Sequence, residues 1–161
     1  MSEIHDDLLM WAHYADCHRG ALIKHKCLIE QDRAICSAVS IDYDTNIPII
    51  ANLDEYIKHL TGQKNIDFSE LFIKFATTKS THWAYEKEWR CIGYDSLNDG
   101  SLFEFVNILP EEIDAIYLGC KMSKSEQQEI AKLISGDFSH VKLLQAHKHR
   151  KKYELEFEEL N

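Results

Sequence analysis

One stretch in the C-terminal third constrains the fold more than any other part of the sequence. Residues 115–120, Ala-Ile-Tyr-Leu-Gly-Cys, form a short continuous apolar run, which is typical of a central strand covered on both faces. Ser123 then predicts a helix N-cap, and Glu126 three residues later completes a capping box. Gly136 follows an apolar stripe at helical spacing and predicts the end of this helix. A central strand, a loop and a helix are therefore predicted in that order.

The rest of the chain combines helical and strand patterns. Apolar residues at helical spacing predict helices, and alternating apolar and polar residues predict strands. The other predicted helices cover residues 8–17, 54–60 and 68–77, and the other predicted strands cover 21–24, 37–43, 85–94, 102–106, 141–145 and 153–158. A turn at Asn98–Gly100 predicts a hairpin. We expect an α+β fold, a mixed β-sheet with flanking helices, in a single compact domain over residues 1–161.

The predicted helix over residues 8–17 has a wide apolar surface. One side carries Leu8 and Trp11, and another carries Met10 and Tyr14. Such a helix needs burial on more than one face. Because it lies close to the start of the sequence, we expect either a domain that is incomplete at its N-terminus or a protein partner that covers the helix.

Charge and cysteine content exclude several classes of protein. The 161 residues carry 18 basic and 27 acidic side chains, a formal charge of −9, and nonspecific nucleic-acid binders need a positive field instead. Five cysteines with no Cys-x-x-Cys pair predict reduced thiols rather than a disulfide framework or a zinc site. No apolar run approaches the roughly 20 residues of a membrane-spanning helix. We therefore expect a cytoplasmic protein that binds neither membranes nor nucleic acids.

The densest group of candidate site residues lies between Lys79 and Arg90. If residues 85–94 form a strand, its alternation places Glu86, Glu88 and Arg90 on one face, with the two carboxylates about 7 Å apart. One carboxylate would then polarise a substrate hydroxyl, the other would act as a base, and Arg90 would bind an anion. Close carboxylates also tend to raise the pKa of one of the pair. In the alternative interpretation, the face is solvated and Glu88 and Arg90 form a structural ion pair.

Three other motifs have both a functional and a structural interpretation. His13 and Cys17 would share one face of the first helix, but no second pair completes a metal site, so we expect no metal. Gly119–Ser123 joins a strand to a helix N-terminus, where backbone amides attract anions; ordinary capping is favoured. The basic run His147–Lys152 lies at a turn beside acidic residues, and a solvated turn is favoured over phosphate binding.

Three motifs together resemble one protein family. They are Leu9–Asp16 with His18 and Gly20, then Trp83–Arg90, and finally Tyr117–Ser123. In this order they are similar to the uncharacterised bacterial family called domain of unknown function 2971. The resemblance implies a further N-terminal region before the first helix, which this sequence does not contain, and hence a truncated product or an internal start.

The motif order is also loosely similar to ADP-ribosyltransferase-like proteins, in which a late strand presents a Glu-x-Glu pair to the sugar of NAD. This similarity implies that Glu86 and Glu88 form the pair, with Glu88 as the catalytic residue and NAD as a candidate cofactor. The residues that would hold the nicotinamide would lie in the missing N-terminal region, which implies that this chain is inactive even if the family is enzymatic.

These observations leave competing functions as hypotheses. The first is an enzyme-like domain, a NAD- or nucleotide-using transferase that binds a nucleotide-type ligand. Its catalytic residues would be Glu86, Glu88 and Arg90, and its substrate-binding residues His13, Tyr14, Lys79, Trp83 and Tyr85. The second is a noncatalytic protein-interaction module, in which Trp11, Trp83 and Trp89 are buried and Glu88 is tied to Arg90. A third is an inactive fragment that self-associates through residues 8–17.

Overall fold

The computed structural model describes residues 1–31, 34–49, 51–92 and 107–160. The helices are α1 (Leu8–Tyr14), α2 (Leu53–Leu60), α3 (Phe68–Thr77) and α4 (Lys124–Leu133). The strands are β1 (Ala21–His25), β2 (Val39–Ser40), β3 (Asp42–Asp44), β4 (Thr78–Ser80), β5 (Trp89–Arg90), β6 (Ile113–Leu118), β7 (Lys142–Lys148) and β8 (Leu155–Glu159). The chain divides into two compact units, the first formed by Met1–Glu3 with Ser37–Tyr94 and the second by Ile4–Cys36 with Asp95–Asn161.

A mixed four-stranded sheet is the framework of the second unit. Its strand order is β1-β6-β7-β8; β6 and β7 are parallel, and the two outer pairings are antiparallel. Parallel neighbours need a crossover connection, which contains α4. In β6, Ala115 is 2% exposed and Leu118 is fully buried, as the continuous apolar run predicts. The α+β class with a mixed sheet is confirmed, and the single-domain organisation over residues 1–161 stays a prediction.

The core of the second unit forms between α1 and this sheet. Asp7 caps α1, because its carboxylate accepts hydrogen bonds from the backbone N–H groups of Leu9 and Met10. Trp11 is 2% exposed, and its indole N–H donates to the carbonyl of His5 over 2.7 Å. The buried core consists of Trp11, Ala15, Ala115, Tyr117 and Leu155, with Phe157 packed against it. Burial of each large side chain of this kind stabilises the fold by about 1.5–3 kcal/mol.

The predicted capping box of α4 is present in the structure. The Ser123 hydroxyl accepts the backbone N–H of Glu126, whose carboxylate accepts the backbone N–H of Ser123 over 3.0 Å. Gly136, just past the end of the helix, has a φ of 106°, a conformation that favours glycine. The predicted start and stop of this helix are therefore both confirmed.

Short elements make up the first unit. β2 pairs antiparallel with β5, and β3 pairs parallel with β4. Among the described residues of this unit, Ile41, 6% exposed, is the one apolar side chain that is buried. The exposed apolar side chains on α2 and α3 are Leu53, Tyr56, Ile57, Leu60, Phe68, Phe72, Ile73 and Phe75.

Residues 1–3 belong to the first unit through backbone pairing. The N-terminal ammonium of Met1 donates to the Trp89 carbonyl, and the Trp89 N–H donates to the Met1 carbonyl, each over 2.8 Å. Ser2 forms an antiparallel bridge with Glu88, and the indole N–H of Trp89 donates to the Glu3 carboxylate over 2.8 Å. The start of the chain thus adds a short pairing beside β5.

Several predicted boundaries are wrong. The first helix ends at Tyr14 rather than Cys17, because the backbone enters the left-handed region at Asp16. Of the predicted strand over residues 85–94, the described part, 85–92, contains only β5, since Thr81–Glu86 form a 3₁₀ helix instead. The last strand begins at Leu155, and Tyr153, predicted to alternate within it, is 97% exposed.

Three further strand predictions have different outcomes. The strand predicted over 37–43 is interrupted at Ile41 and forms β2 and β3. The strand predicted over 141–145 continues to Lys148. The hairpin predicted at Asn98–Gly100, with its strand over 102–106, lies outside the described residues.

The prediction that all thiols are reduced is also wrong. A disulfide joins Cys27 to Cys36, whose Cα atoms are 5.4 Å apart, a separation that suits a disulfide. The two cysteines are nine residues apart, and neither the odd cysteine count nor the spacing identifies this pair.

None of the helices within the described ranges combines the length and the apolar character needed to traverse a bilayer.

Candidate functional site

Four charged residues meet in the first unit and are called here the charge cluster: Lys79, Glu86, Glu88 and Arg90. Lys79 lies in β4, Glu86 ends the 3₁₀ helix, and Arg90 lies in β5. The ammonium of Lys79 binds the carboxylates of both Glu86 and Glu88. The guanidinium of Arg90 binds both oxygens of Glu88, at 2.7 Å from Nε and 3.1 Å from Nη2.

A tight turn, rather than the alternation of one strand, positions the two carboxylates. The hydroxyl of Ser80 accepts the N–H of His82 at the start of the 3₁₀ helix. Lys87 ends it in the left-handed conformation, with a φ of 42°. The side chain of Glu86 is consequently buried and that of Glu88 is 19% exposed. The prediction that Glu86, Glu88 and Arg90 share one face of a strand is therefore wrong, although the three residues do meet.

The surroundings of Glu88 keep its carboxyl group ionised. Hydrogen bonds from Arg90 lower the pKa of Glu88 to about 2, with Lys79 acting in the same direction and against the effect of burial. The raised pKa expected of close carboxylates does not occur at Glu88, because the two cations outweigh the effect of burial. A carboxyl group with this pKa is a poor general base near neutral pH and a strong fixed negative charge.

Arg90 and Lys79 are correspondingly held in their charged forms. The hydrogen bonds with Glu88 raise the pKa of Arg90. Burial opposes the charge on Lys79, yet its hydrogen bonds with Glu86 and Glu88 raise its pKa. Arg90 also donates to the carbonyl of Ala76 at the end of α3. Glu88, Lys79 and Arg90 therefore hold one another in their charged forms.

Aromatic side chains lie beside the charge cluster. The ammonium of Lys79 is 5.1 Å from the ring centre of Trp83, within the range of a cation–π contact. The ring of Tyr85 lies 6.0 Å from that of Trp83. Trp83 is 37% exposed, so part of its indole surface is open to solvent next to the cluster.

Two predicted substrate-binding residues lie elsewhere in the chain. His13 and Tyr14 belong to α1 of the second unit and are exposed, with ring centres 6.3 Å apart. Cys17 follows the end of α1 in a left-handed turn, so it does not share a helix face with His13 as predicted. In the described part of the chain, no three His, Cys, Asp or Glu side chains are grouped so that they could hold a metal ion.

The basic run at residues 147–152 covers the end of β7 and the start of the turn before β8, beside acidic partners. His147 is 3.4 Å from the Glu158 carboxylate, and His149 is 3.5 Å from that of Glu156. Lys152 lies 3.4 Å from Glu154. An open groove of about 500 Å³ is lined by His147, Lys148, Arg150, Glu156, Phe157 and Glu158. These alternating charges agree with the favoured interpretation of a solvated turn.

Sequence reasoning missed two supports of the charge cluster. The Tyr43 hydroxyl accepts the backbone N–H of Glu88 over 2.8 Å, and the Ala76 carbonyl accepts from Arg90. Tyr43 is 45 residues from Glu88 in sequence. No local pattern reports such a contact, because it depends on the pairing of β2 with β5 and of β3 with β4.

Comparison with known proteins identifies a family. The model of the family described as "Protein of unknown function (DUF2971)" matches residues 10–91, just over half of the 161 residues. The match includes the Trp83–Arg90 motif and almost all of Leu9–Asp16, whereas Tyr117–Ser123 lies beyond it. No curated protein and no solved structure matches the chain. On the strength of the family match, the chain belongs to DUF2971, a family of proteins of unknown function.

Proposed function

We propose that the charge cluster and Trp83 bind a nucleotide-type ligand. The observation that carries this proposal is the partly exposed Trp83 ring, 5.1 Å from the Lys79 ammonium and next to two carboxylates and a guanidinium. Aromatic faces bind nucleobases by stacking, at about 1–3 kcal/mol per base. A base stacked on Trp83 would place the attached sugar close to the side chains of the charge cluster.

Glu88 is the group that would bind the sugar. A carboxylate has about four acceptor positions, and Glu88 uses three of them, for Nε and Nη2 of Arg90 and for Nζ of Lys79. Its Oε1 accepts only from Arg90 Nε among the described residues. This oxygen can therefore accept a further hydrogen bond from a sugar hydroxyl.

The proposed chemistry is that of a NAD- or nucleotide-using transferase. When the bond between a sugar and its base breaks, positive charge develops on the sugar, and a fixed negative charge stabilises that transition state. The low pKa of Glu88, about 2, suits this electrostatic role better than proton abstraction. Glu86 is buried against Lys79 and is assigned the role of positioning it.

Ligand-dependent melting tests the proposal. We expect NAD, ATP or GTP to raise the melting temperature of the parent chain, because a ligand that binds only the folded state stabilises it by mass action. Trp83→Ala and Glu88→Gln should remove that increase. Glu70→Gln is the matched control, since Glu70 is an exposed acid on α3 of the same unit, and it should respond like the parent.

Isothermal titration calorimetry on the same proteins separates binding from altered folding. If all three nucleotides fail to bind a parent chain that melts cooperatively, the proposal is wrong. Equal binding by the parent and Trp83→Ala would also contradict it, since the base would then not stack on this ring.

Exposed apolar residues in the first unit favour a second candidate, a noncatalytic interaction module whose partner is another copy of this chain. Leu53 and Leu60 of α2 are 75% and 68% exposed, and Phe68 and Phe72 of α3 are 53% and 50% exposed. Exposed apolar patches mark interaction surfaces.

The charges of α2 agree with pairing between identical copies. The Asp54–Lys58 and Glu55–Lys64 pairs, at 2.9 Å and 2.5 Å, balance within one chain, so two copies could approach through α2 without unpaired like charges. Multi-angle light scattering would report a dimer that Leu60→Glu converts to a monomer. A monomeric parent at high concentration would eliminate this candidate.

A further inference from the structure

The strand β1 forms one edge of the four-stranded sheet in the second unit. It is first in the order β1-β6-β7-β8, so within this sheet it pairs with β6 on one side only. A strand at the edge of a sheet presents backbone N–H and C=O groups that can pair with a strand of another molecule. β1 takes no part in the proposed ligand binding, which concerns the first unit.

The hydrogen bonds at the two ends of β1 show which of its backbone groups face outward. The Gly20 carbonyl accepts over 2.9 Å from the residue that follows β6, and the Lys26 N–H donates over 2.7 Å to the residue that precedes β6. In an antiparallel ladder, residues that bond to the neighbouring strand alternate with residues whose N–H and C=O groups point away from it. The outward residues of β1 are therefore Ala21, Ile23 and His25. No described residue forms a hydrogen bond with their outward groups.

The side chains of β1 leave this edge accessible. Ile23 is 50% exposed, and Ala21 is exposed as well. The opposite edge of the sheet, β8, instead carries the exposed acids Glu156, Glu158 and Glu159. Charged side chains of this kind protect the edge of a sheet against pairing with another molecule. The two edges therefore differ, and β1 is the edge suited to pairing.

The charges near β1 favour a second copy of the chain as the partner. The ammonium groups of Lys24 and Lys26 bind the two oxygens of the Asp114 carboxylate, at 2.7 Å and 3.1 Å. An acidic peptide would have to compete with this carboxylate to reach the lysines. Two copies of β1 can approach each other while each copy keeps these ion pairs intact.

We propose that two copies of the chain pair through β1, antiparallel and centred on Ile23. Ile23 then lies opposite Ile23 of the second copy, and Ala21 lies opposite His25, so that each pair of outward residues exchanges both N–H···O bonds. Lys24 lies opposite Leu22 rather than another lysine, and this register therefore places no like charges directly opposite each other. The two sheets join across a two-fold axis, the commonest symmetry of protein dimers.

Light scattering on the full chain and on Ile23→Pro tests this interface. Proline has no backbone N–H, and because the N–H of Ile23 points away from β6, its loss removes bonds between the copies but none within the sheet. We expect the parent to be a dimer, and Ile23→Pro to be a monomer with an unchanged circular dichroism spectrum. Ile23→Val keeps the N–H and a β-branched side chain, so this matched control should dimerise like the parent.

A cysteine at position 23 tests the register. Residues that exchange both bonds across an antiparallel pair have Cα atoms about 5.5 Å apart, which suits a disulfide. With oxidised glutathione, Ile23→Cys should form more covalent dimer than the parent, which has other thiols. Ala21→Cys should stay at the level of the parent, because Ala21 would lie about 14 Å along the strand from Ala21 of the second copy.

Several results would overturn the proposal. A monomeric parent at high concentration would do so, as would equal cross-linking of Ile23→Cys and Ala21→Cys. A dimer that is lost in Leu60→Glu but kept in Ile23→Pro would replace β1 with α2 as the interface. Polymers in place of dimers would indicate pairing of β1 with β8 of the next copy, an arrangement that does not close.

Discussion

Glu88 illustrates why charged residues cannot be assigned roles from spacing alone. The spacing of Glu86 and Glu88 predicts two interacting acids, and the structure does bring both to Lys79. The pKa of Glu88 nevertheless follows from Arg90 and Lys79, and the position of Lys79 depends on the pairing of β3 with β4. All four cluster residues could be predicted, whereas the low pKa of Glu88 could not, because part of it comes from Lys79, which only the pairing of β3 with β4 brings close.

The low pKa of Glu88 predicts a specific dependence of stability on pH. Its ordinary pKa is 4.5 and its pKa in the fold is about 2, so the unfolded chain binds the proton more tightly. The stabilisation is complete above about pH 4.5 and is lost as the pH falls toward 2. It amounts to about 3 kcal/mol. Urea unfolding of the parent and Glu88→Gln should therefore differ by that amount at pH 7 and converge in acid.

The difference in unfolding free energy between the parent and Glu88→Gln reports Glu88 alone. Other carboxyl groups whose pKa is lowered, such as Asp114 beside Lys24, are present in both proteins and cancel. Glu70→Gln, which removes an exposed carboxylate from the same unit, should unfold like the parent at pH 7. A gap between the parent and Glu88→Gln that stays constant down to pH 3 would show that the charge on Glu88 does not stabilise the fold.

The element before β5 shows the limits of pattern reading. Tyr85, Trp89 and Cys91 alternate with polar residues and predict a strand. The structure instead places a 3₁₀ helix there, started by Ser80 and ended by Lys87. By contrast, α4 is predicted correctly, since its capping residues are only three positions apart. α4 could be predicted because its capping signals are local. The 3₁₀ helix before β5 could not, because it ends at a left-handed residue that is not glycine.

The conformation of Lys87 predicts that β-branched residues are not tolerated there. Lys87→Val should be less stable than Lys87→Gly by at least about 1–2 kcal/mol, the cost of holding an L-residue in the left-handed conformation. Both variants lose the same exposed charge, so their difference in thermal unfolding reports the backbone alone. If Val and Gly are tolerated equally, the turn does not hold this conformation in solution.

At the level of the complete chain, the four-stranded sheet could be predicted strand by strand but not in its order. β1 and β6 are neighbours in the sheet although more than 80 residues separate them. The same distance in sequence separates residues 1–3 from β5. No helical or strand period carries information over such separations. The disulfide was missed for a related reason, since only the fold brings Cys27 and Cys36 together.

The disulfide should contribute measurably to stability. Closing a loop of this length restricts the unfolded chain and typically contributes about 2–3 kcal/mol. Cys27→Ser should lower the melting temperature, and dithiothreitol should lower that of the parent but not of the variant. Cys91→Ser is the control, because Cys91 is exposed and takes no part in the disulfide. An unchanged melting temperature after reduction would show that the bond is not formed in solution.

The pairing of residues 1–3 with residues 87–89 has a consequence for biosynthesis. Each compact unit is assembled from two separate stretches of the chain, so neither can be completed while the ribosome is still making the middle of the protein. Residues 1–3 wait for more than 80 later residues before they meet their partners. Closing a loop of that size lowers the folding rate more than it lowers the stability of the folded state.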